Sequence, residues 1–385
     1  MQAIPSRHIA AVCLPPSTRR GPDPTAYYPP HQLKSGFDGR KSPCGRSNVL
    51  TVYIGWLMIA LVVILAGAEL LTNALEHVGQ RFKLSEGLVG SVLAAAATAL
   101  PETVVPIIAV FFGGRDPTVR QDIGVGAILG SPLMLATLAL ALIGFVTGLR
   151  RGWSAVLKPE ISGLLRDLCY FVVASTIAFI GLFIPHASGG IHIVAGLCLV
   201  FLYGYYVFNT VQASVILAHK GHGTRADAPL HLRHLGISHT LVWEITQLAA
   251  AIMLIVVGAK LFVTGVEHTA SATRIGVLVL SLVIVPIATE MPEKFNSILW
   301  VRRDKDTLAF GNITGAMVFQ GTLLNAFGLQ LGAWRPSYDI LWAMGLGFAA
   351  TLWTLFLAAR RKLTSGALLV NGAIYLLFIV VILRH

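Results

Sequence analysis

The sequence has few charged residues for its length, and this scarcity excludes a soluble globular protein. Charged side chains make up 12% of the 385 residues, while hydrophobic residues make up 55%. A soluble domain of this size does not tolerate such a composition. The formal net charge of +11 would suggest a nucleic-acid partner, but most basic residues lie in short segments between apolar runs. The composition therefore indicates a membrane protein whose surroundings are the lipid bilayer, with no nucleic acid bound.

The motifs of several pump and enzyme classes are also missing. The four cysteines have no spacing typical of a metal or redox centre. The sequence contains no glycine-rich phosphate loop, no nucleophile elbow and no zinc-protease motif, so ATP-driven pumping is unsupported. We expect no resident cofactor. We also expect no secretory signal peptide, because the first apolar segment starts near residue 50 and is too long for one.

Ten apolar runs are long enough to cross a bilayer as helices. The fold class predicted from them is an all-α membrane protein with ten transmembrane helices. The polar connections between the runs are short and leave no soluble domain outside the N-terminal tail. The ten runs cover approximately residues 52–75, 86–112, 122–147, 167–185, 190–217, 240–266, 275–300, 307–332, 338–359 and 364–383.

The basic residues of the connecting loops lie mostly on one side of the predicted helices. Fifteen lysines and arginines fall in the loops after helices 1, 3, 5, 7 and 9, and five fall on the opposite side. Positively charged loops favour the cytoplasm. We therefore expect a multi-pass protein of the bacterial inner (cell) membrane with both termini facing outward.

Residues 1–50 differ from the rest of the chain. They are rich in proline, arginine, serine and glycine, and we predict a disordered basic tail. The seven basic residues of the tail lie on the outward side, against the charge rule. The tail is either a true appendage or an upstream extension of the reading frame.

One short motif occurs twice, 191 residues apart. Residues 97–102 read Ala-Thr-Ala-Leu-Pro-Glu, and residues 288–293 read Ala-Thr-Glu-Met-Pro-Glu. Each copy lies on the second helix of a set of five, so we predict two repeats, 51–218 and 240–385, joined by a cytoplasmic loop at 219–239. Because five is an odd number, the second repeat enters the membrane from the opposite side. The two repeats are therefore predicted to be inverted, with a shared site near the midplane.

Each copy of the motif places a carboxylate inside an apolar helix, where a charge costs about 2.5–3.5 kcal/mol. Thr98 and Glu102 are four residues apart and share a helix face, as do Thr289 and Glu293. The proline before each glutamate has no N–H and leaves a carbonyl oxygen free. Carboxylates, hydroxyls and carbonyls are the oxygen ligands that Ca²⁺ prefers. The alternative is that the prolines merely kink packed helices, but two copies at equivalent positions favour one shared cation site.

These motifs resemble those of the Ca²⁺/cation antiporter superfamily, close to its prokaryotic sodium/calcium exchangers. The family signature is Gly-Thr-Ser-x-Pro-Glu on helices 2 and 7, followed by Gly-x-x-x-Gly-Ser-Asn on helices 3 and 8, which residues 126–131 and 311–316 echo. The resemblance implies exchange of Ca²⁺, or a similar divalent cation, for Na⁺ or H⁺ by alternating access. By motif position, the cation-binding residues that it implies are Thr98, Glu102, Ser131, Thr289, Glu293 and Gln320.

The sequence departs from this signature at several polar positions. The motif serine is Ala99 in one half and Glu290 in the other, and apolar residues replace polar ones at Leu135, Ala316 and Met317. The auxiliary oxygen ligands are thus depleted, while both motif glutamates remain. Because two acids close together do not both ionise easily in an empty site, one of them can carry a proton. We therefore expect coupling to H⁺ at least as much as to Na⁺.

The second copy of the motif carries two additional charges, Glu290 and Lys294. They are four residues apart with the acid first, which is the favourable order for a helical ion pair. We expect the two to neutralise each other; the alternative makes Glu290 a third carboxylate of the cation site. Glu69 and Lys260, at equivalent positions of helices 1 and 6, are expected to form structural pairs or to extend towards the membrane surface.

The loop between the halves is rich in histidine. Histidine clusters can sense pH or bind transition metals, but the irregular spacing here favours a solvated loop. The histidines of this loop are His219, His222, His231, His234 and His239.

Two other functions could also use paired carboxylates in apolar helices. An intramembrane enzyme could use them as acid and base, but catalysis needs the two acids in different environments, and an inverted duplication gives them similar ones. A degenerate exchanger would bind ions without transporting them.

Overall fold

The computed structural model describes residues 43–81, 99–185, 189–218, 230–231, 241–273 and 276–384. Within these ranges every regular element is helical, apart from one isolated antiparallel bridge between Val156 and Thr364. The α-helices are α1 (Pro43–Arg81), α2 (Leu100–Phe112), α3 (Pro117–Met134), α4 (Leu140–Arg151), α5 (Ile161–Leu182), α6 (Gly189–Ala218), α7 (Leu241–Thr273), α8 (Val277–Thr289), α9 (Met291–Arg302), α10 (Asp306–Phe319), α11 (Asn325–Gly328), α12 (Tyr338–Ala359) and α13 (Ser365–Arg384).

Among the described residues, seven helical segments are long and apolar enough to cross a membrane. They coincide with predicted helices 1, 3, 4, 5, 6, 9 and 10, and α3 and α4 together form one of them. The remaining predicted helices correspond to shorter pieces. These are α2 for the second, α8 and α9 for the seventh, and α10 with α11 for the eighth. The fold is thus helical and membrane-spanning, while the exact count of ten stays a prediction.

The first helix begins earlier than predicted. Helix α1 starts at Pro43, so the last part of the predicted tail is helical rather than disordered. Residues 1–42 of that tail lie outside the described residues, and so do most of the histidines between the two halves.

Two π-helical segments occupy matching places in the two halves. Leu135–Ala139 continues α3, and Gln320–Leu324 continues α10. Their first residues are 185 apart, which is the offset between the glycine motifs of the same helices. Single π-helical turns inside α-helices are frequent at functional sites. Each half therefore carries the same local distortion directly after its second motif.

Helices α1 and α7 cross through a reciprocal pair of contacts. A Cβ on Gly67 would lie 2.8 Å from Ile255 Cγ1 and 3.1 Å from the Ile255 nitrogen. A Cβ on Gly258 would lie at the same two distances from Ile64. Because 67 and 258, like 64 and 255, are 191 apart, the contact has the symmetry of a two-fold axis. Glycine is required at both places, since any side chain would push the helices apart.

The helices that carry the motifs pack tightly around one another. Helix α3 lies between α2 and α8, and α9 packs against α4 and α10. The approach of α3 to α8 is close because Gly126 and Gly130 face it. A Cβ on Gly126 would lie 2.6 Å from Ser281 Cβ, and one on Gly130 would meet the Leu282 carbonyl. The first glycine motif therefore brings the backbone of α3 against the helix that precedes the second acidic motif.

The start of α5 illustrates how the helices are bounded at the membrane edge. The Glu160 carboxylate accepts hydrogen bonds from the amides of Ser162 at 2.9 Å and Gly163 at 2.6 Å, which caps the helix. Burial raises the pKa of Glu160, but these hydrogen bonds outweigh it and leave the pKa below its ordinary value. The cap is therefore strongest in its ionised form.

Three of the predicted basic loops meet at one end of the molecule. Arg151 forms ion pairs with Asp304 at 2.9 Å and with Asp306 at 2.8 Å. The Leu157 amide donates to the Leu363 carbonyl at 2.8 Å, which joins the loop after α4 to the loop before α13. The loops after predicted helices 3, 7 and 9 thus share one side of the fold, as the distribution of basic residues requires.

Candidate cation site

The second acidic motif lies at a break between two helices. Helix α8 ends at Thr289, Glu290 adopts φ −89° and ψ 13°, and α9 begins at Met291. The predicted seventh helix over 275–300 is therefore divided into two helices at its motif, in line with the kink that Pro292 predicts. Pro292 follows directly and cannot donate a hydrogen bond to the preceding turn, which is the physical reason for an interruption here.

The first acidic motif has the same local geometry. Helix α2 begins at Leu100 after Ala99, which adopts φ −81° and ψ 4°. Ala99 and Glu290 are 191 residues apart, so α2 and α9 begin at equivalent positions of the duplicated motif. Thr98, the first hydroxyl of this motif, lies outside the described residues.

The two motif glutamates each lie in the first turn of a helix. Glu102 belongs to the first turn of α2 and Glu293 to the first turn of α9. Both side chains are buried, with 1% and 0% of their surface exposed. The positive end of a helix dipole favours a carboxylate at this place. Among the described residues, no side chain donates a hydrogen bond to the Glu102 carboxylate.

Four charged groups interact in this region. Glu102 interacts electrostatically with Glu293, Glu290 and Lys294. The structure thus brings both motif glutamates to one place, although they are far apart in sequence. The buried Glu102 carboxylate, which has no donor among the described residues, calls for a specific explanation, and a bound cation supplies one.

Lys294 is the positive charge of this group. Its ammonium donates to Glu290 Oε2 at 2.9 Å, to the Pro286 carbonyl at 3.2 Å and to Met134 Sδ at 3.1 Å. Both members of the pair are buried, with 7% and 0% of their side chains exposed. The predicted ion pair between Glu290 and Lys294 is therefore confirmed.

The hydroxyls expected at the site are buried nearby. Ser131 lies beside the Glu290 carboxylate, without the geometry of a full hydrogen bond. The Thr289 hydroxyl donates to the Val285 carbonyl at 3.1 Å. Gln320 is fully buried on its π-helical segment, and its amide makes no hydrogen bond with the described residues. Its place among the cation ligands stays a prediction.

Two residues near the acids carried no recognised signal in the sequence. Asn312 donates from its amide to the Glu293 carbonyl at 3.1 Å and to Ser297 Oγ at 3.0 Å, which fixes the start of α9. Tyr375 of α13 interacts electrostatically with Glu290. Asn312 lies within the second glycine motif, so its position could have drawn attention, whereas Tyr375 belongs to an ordinary apolar helix.

A preformed metal cage is absent from the described part of the chain. No group of three or more His, Cys, Asp or Glu side chains there could hold a metal ion. The carboxylates are therefore arranged as an interacting group with neutral oxygens around it, rather than as a closed metal centre.

Only one histidine of the connecting loop falls within the described residues. His231 lies with its imidazole 3.6 Å from the Glu69 carboxylate, and its backbone amide donates to Asn73 Oδ1 at 3.0 Å. Glu69 thus has the structural partner expected of it, while Lys260 is exposed on α7. His219, His222, His234 and His239 lie outside the described residues.

A family of known transporters accounts for this arrangement. The family model described as "Sodium/calcium exchanger protein" matches residues 52–212 and 243–384, on both sides of the histidine-rich loop. The chain belongs to this family. Because the family consists of membrane transporters, the protein is a multi-pass integral membrane protein and not an intramembrane enzyme.

Individual members of the family show the same relationship. The chain is 24% identical over 347 residues to the putative antiporter CaxA of Alkalimonas amylolytica, covering 86% of this chain and 99% of that protein. The crystal structure of the H⁺/Ca²⁺ exchanger CAX superposes with a TM-score of 0.64 at 18% identity, covering 88% of this chain and 87% of that one. The sodium-calcium exchanger NCX_Mj gives a TM-score of 0.55 at 19% identity, covering 86% and 99%. The exchanger fold is thereby established for this member.

Proposed function

We propose that this protein is a secondary-active antiporter that exchanges Ca²⁺, or a similar divalent cation, for H⁺ or Na⁺ by alternating access. The observation that carries the proposal is the pairing of Glu102 with Glu293. Both carboxylates are buried, both start a half-helix, and each occupies the same position of its repeat. Discontinuous helices with buried charges at a repeat interface are typical of transporter binding sites.

The chemistry of the site suits a hard divalent cation. Two carboxylates supply the charge, and neutral oxygens of Thr98, Ser131, Thr289 and Gln320 complete the proposed coordination. Ca²⁺ binds six to eight such oxygens in flexible geometry. The structural relatives include exchangers of Ca²⁺ against H⁺ and against Na⁺, so a divalent substrate agrees with both.

The inverted arrangement of the repeats belongs to the same proposal. Equal contacts at Gly67 and Gly258 and matched π-helical segments support two repeats, 51–218 and 240–385, related by a two-fold axis. We place the basic loops in the cytoplasm and both termini outside, in a bacterial cell membrane. Single cysteines introduced at Gly223 and after His385 should then react with an impermeant thiol reagent from opposite sides, and reaction from the same side would contradict inversion.

The residues around the acids favour H⁺ as the coupling ion. Ala99, Leu135, Ala316 and Met317 are fully buried and supply no side-chain oxygen where the family signature has polar residues. A Na⁺ ion needs several neutral oxygens at fixed distances, whereas a carboxylate pair can exchange a divalent ion for protons alone. Coupling to H⁺ therefore agrees better with this set of side chains.

Uptake of ⁴⁵Ca²⁺ into proteoliposomes tests the proposal directly. Uptake should follow an imposed pH gradient in Na⁺-free buffer. Uptake that requires a Na⁺ gradient and ignores pH would assign Na⁺ as the coupling ion instead. Binding of Ca²⁺ without flux under any gradient would identify a degenerate exchanger.

A further inference from the structure

The two halves of the cation site differ by one pair of charges. The second half carries Glu290 and Lys294, whereas the equivalent positions of the first half, 191 residues earlier, are Ala99 and Thr103. The Thr103 hydroxyl donates only to the Ala99 carbonyl, at 3.0 Å, among the hydrogen bonds of the described residues. The second half therefore contains a carboxylate and an ammonium that its counterpart does not need.

The ammonium of Lys294 is surrounded as a bound monovalent cation would be. Its neighbours are a carboxylate oxygen of Glu290, the carbonyl oxygen of Pro286 and the sulfur of Met134, all within 3.2 Å. The Ser131 hydroxyl lies against the same carboxylate. Oxygen atoms from a side chain and from a helix end are the ligands that an alkali cation takes inside a membrane. Here a covalently tethered charge occupies their centre.

The balance of charges gives the covalently attached ammonium of Lys294 a role in ion exchange. When all are ionised, the carboxylates of Glu102, Glu290 and Glu293 carry three negative charges, and the ammonium of Lys294 carries one positive charge. The pair of Glu290 with Lys294 is neutral, which leaves two carboxylates for the transported ion. One divalent cation matches that remainder, so no further alkali cation is needed to neutralise the buried site.

We propose that Lys294 is a built-in monovalent cation that holds the place beside Glu290 and thereby excludes Na⁺ from this site. The proposal rests on the proposed function, because it states which ion the antiporter does without. Lys294 acts as a specificity-determining residue, since its charge cannot leave with the substrate.

Equilibrium binding of ²²Na⁺ to the purified protein in detergent tests this role without requiring transport. The probe is NaCl in choline buffer at alkaline pH, where protons compete least. The wild-type protein should show no saturable binding that depends on Glu290. Lys294→Gln should show saturable ²²Na⁺ binding about tenfold above the non-saturable wild-type background, because an uncompensated buried carboxylate strongly favours a cation. Lys294→Arg should stay at the wild-type level.

Two further variants separate this role from a structural one. The double variant Glu290→Gln/Lys294→Gln should lose the Na⁺ binding that Lys294→Gln gained, because the carboxylate is gone. Lys260→Gln makes the same substitution at an exposed lysine of α7 and should match the wild type. A gain that persists in the double variant would overturn the proposal, because Na⁺ would then bind elsewhere, and so would a Lys294→Gln protein that binds no more Na⁺ than the wild type.

If Lys294→Gln does not fold, the wild type and Glu290→Gln together still decide. Saturable ²²Na⁺ binding by the wild type that Glu290→Gln abolishes would overturn the proposal, whereas its absence supports it. Failure of the proposed function is a separate result. It would appear as absent ⁴⁵Ca²⁺ flux under every gradient, whatever the pattern of Na⁺ binding.

Discussion

The two halves of the molecule share a backbone plan and differ in electrostatics. Both begin a helix directly after equivalent residues, Ala99 and Glu290, place a glutamate in its first turn and insert a π-helical segment after the glycine motif. Only the second half adds the buried pair of Glu290 with Lys294. The shared backbone plan therefore supports the cation site, while departures from symmetry can adjust which ions enter it.

Two different kinds of contact hold the helices around the motifs together. Helix α3 reaches α8 through Gly126 and Gly130, which leave no room for side chains. Within the second half, α10 holds its neighbour α9 through the amide of Asn312. The contact of α3 with α8 joins the two halves by close backbone approach, whereas the contact of α10 with α9 lies within one half and is made by hydrogen bonds.

The largest effect is expected at the motif glutamates, which the two halves have in common. Glu102→Gln and Glu293→Gln should each reduce ⁴⁵Ca²⁺ exchange in proteoliposomes to the background of protein-free vesicles, because a divalent cation loses one of its two charged ligands. Glu69→Gln, the same substitution at an exposed acid of α1, should exchange normally. Near wild-type exchange by either motif variant would break the equivalence of the two halves.

The next largest effect is expected at the buried charge pair that distinguishes the second half from the first. Lys294→Met removes one partner of a buried ion pair and should lower the free energy of unfolding by about 3–5 kcal/mol. Thr103→Val at the equivalent position removes one intrahelical hydrogen bond and should cost about 1 kcal/mol or less. Unfolding titrations in mixed detergent micelles measure both. Equal losses would show that the pair contributes nothing specific to the second half.

A smaller and symmetric effect is expected where α1 crosses α7. Gly67→Ala and Gly258→Ala each place a Cβ 2.8 Å from an isoleucine side chain and should each destabilise the protein by about 1–3 kcal/mol. Gly55→Ala meets no atom within 4 Å and serves as the control. The same unfolding titration applies, and clearly unequal losses at Gly67 and Gly258 would argue against a two-fold relation.

The smallest expected effect is a difference in the stability that two helix caps contribute. Glu160 caps α5 through two amides, whereas Ser337 caps α12 through the Ile340 amide at 3.4 Å. Glu160→Ala should therefore cost more than Ser337→Ala, by about 1 kcal/mol.

The stabilisation by the Glu160 cap should also depend on pH. Because the pKa of Glu160 is lowered on folding, this stabilisation is present above the ordinary pKa of glutamate and is lost as the pH falls through the lowered value. Unfolding midpoints of the wild type and Glu160→Ala should therefore converge in acid. A constant difference at all pH values would contradict an ionised cap.

The sequence by itself determined the membrane environment, the duplicated motif and the pairing of Glu290 with Lys294. Composition and apolar run length report burial in lipid directly, and residues four apart on one helix meet whatever the rest of the chain does. Apolar run length also explains why seven of the predicted helices agree with long helical segments of the described structure. These are predicted helices 1, 3, 4, 5, 6, 9 and 10. The basic residues of three loops also share one end, as their distribution along the chain indicated.

The residue at which the seventh predicted helix breaks, and the surroundings of Glu290 and Lys294, follow only from the tertiary structure. Apolar composition is the same for a continuous and an interrupted helix, so the turn at Glu290 left no hydropathy signal. The contacts of Lys294 with Met134 and of Asn312 with the start of α9 join different elements. Such contacts depend on how helices pack, and packing is a property of pairs of surfaces rather than of any single segment.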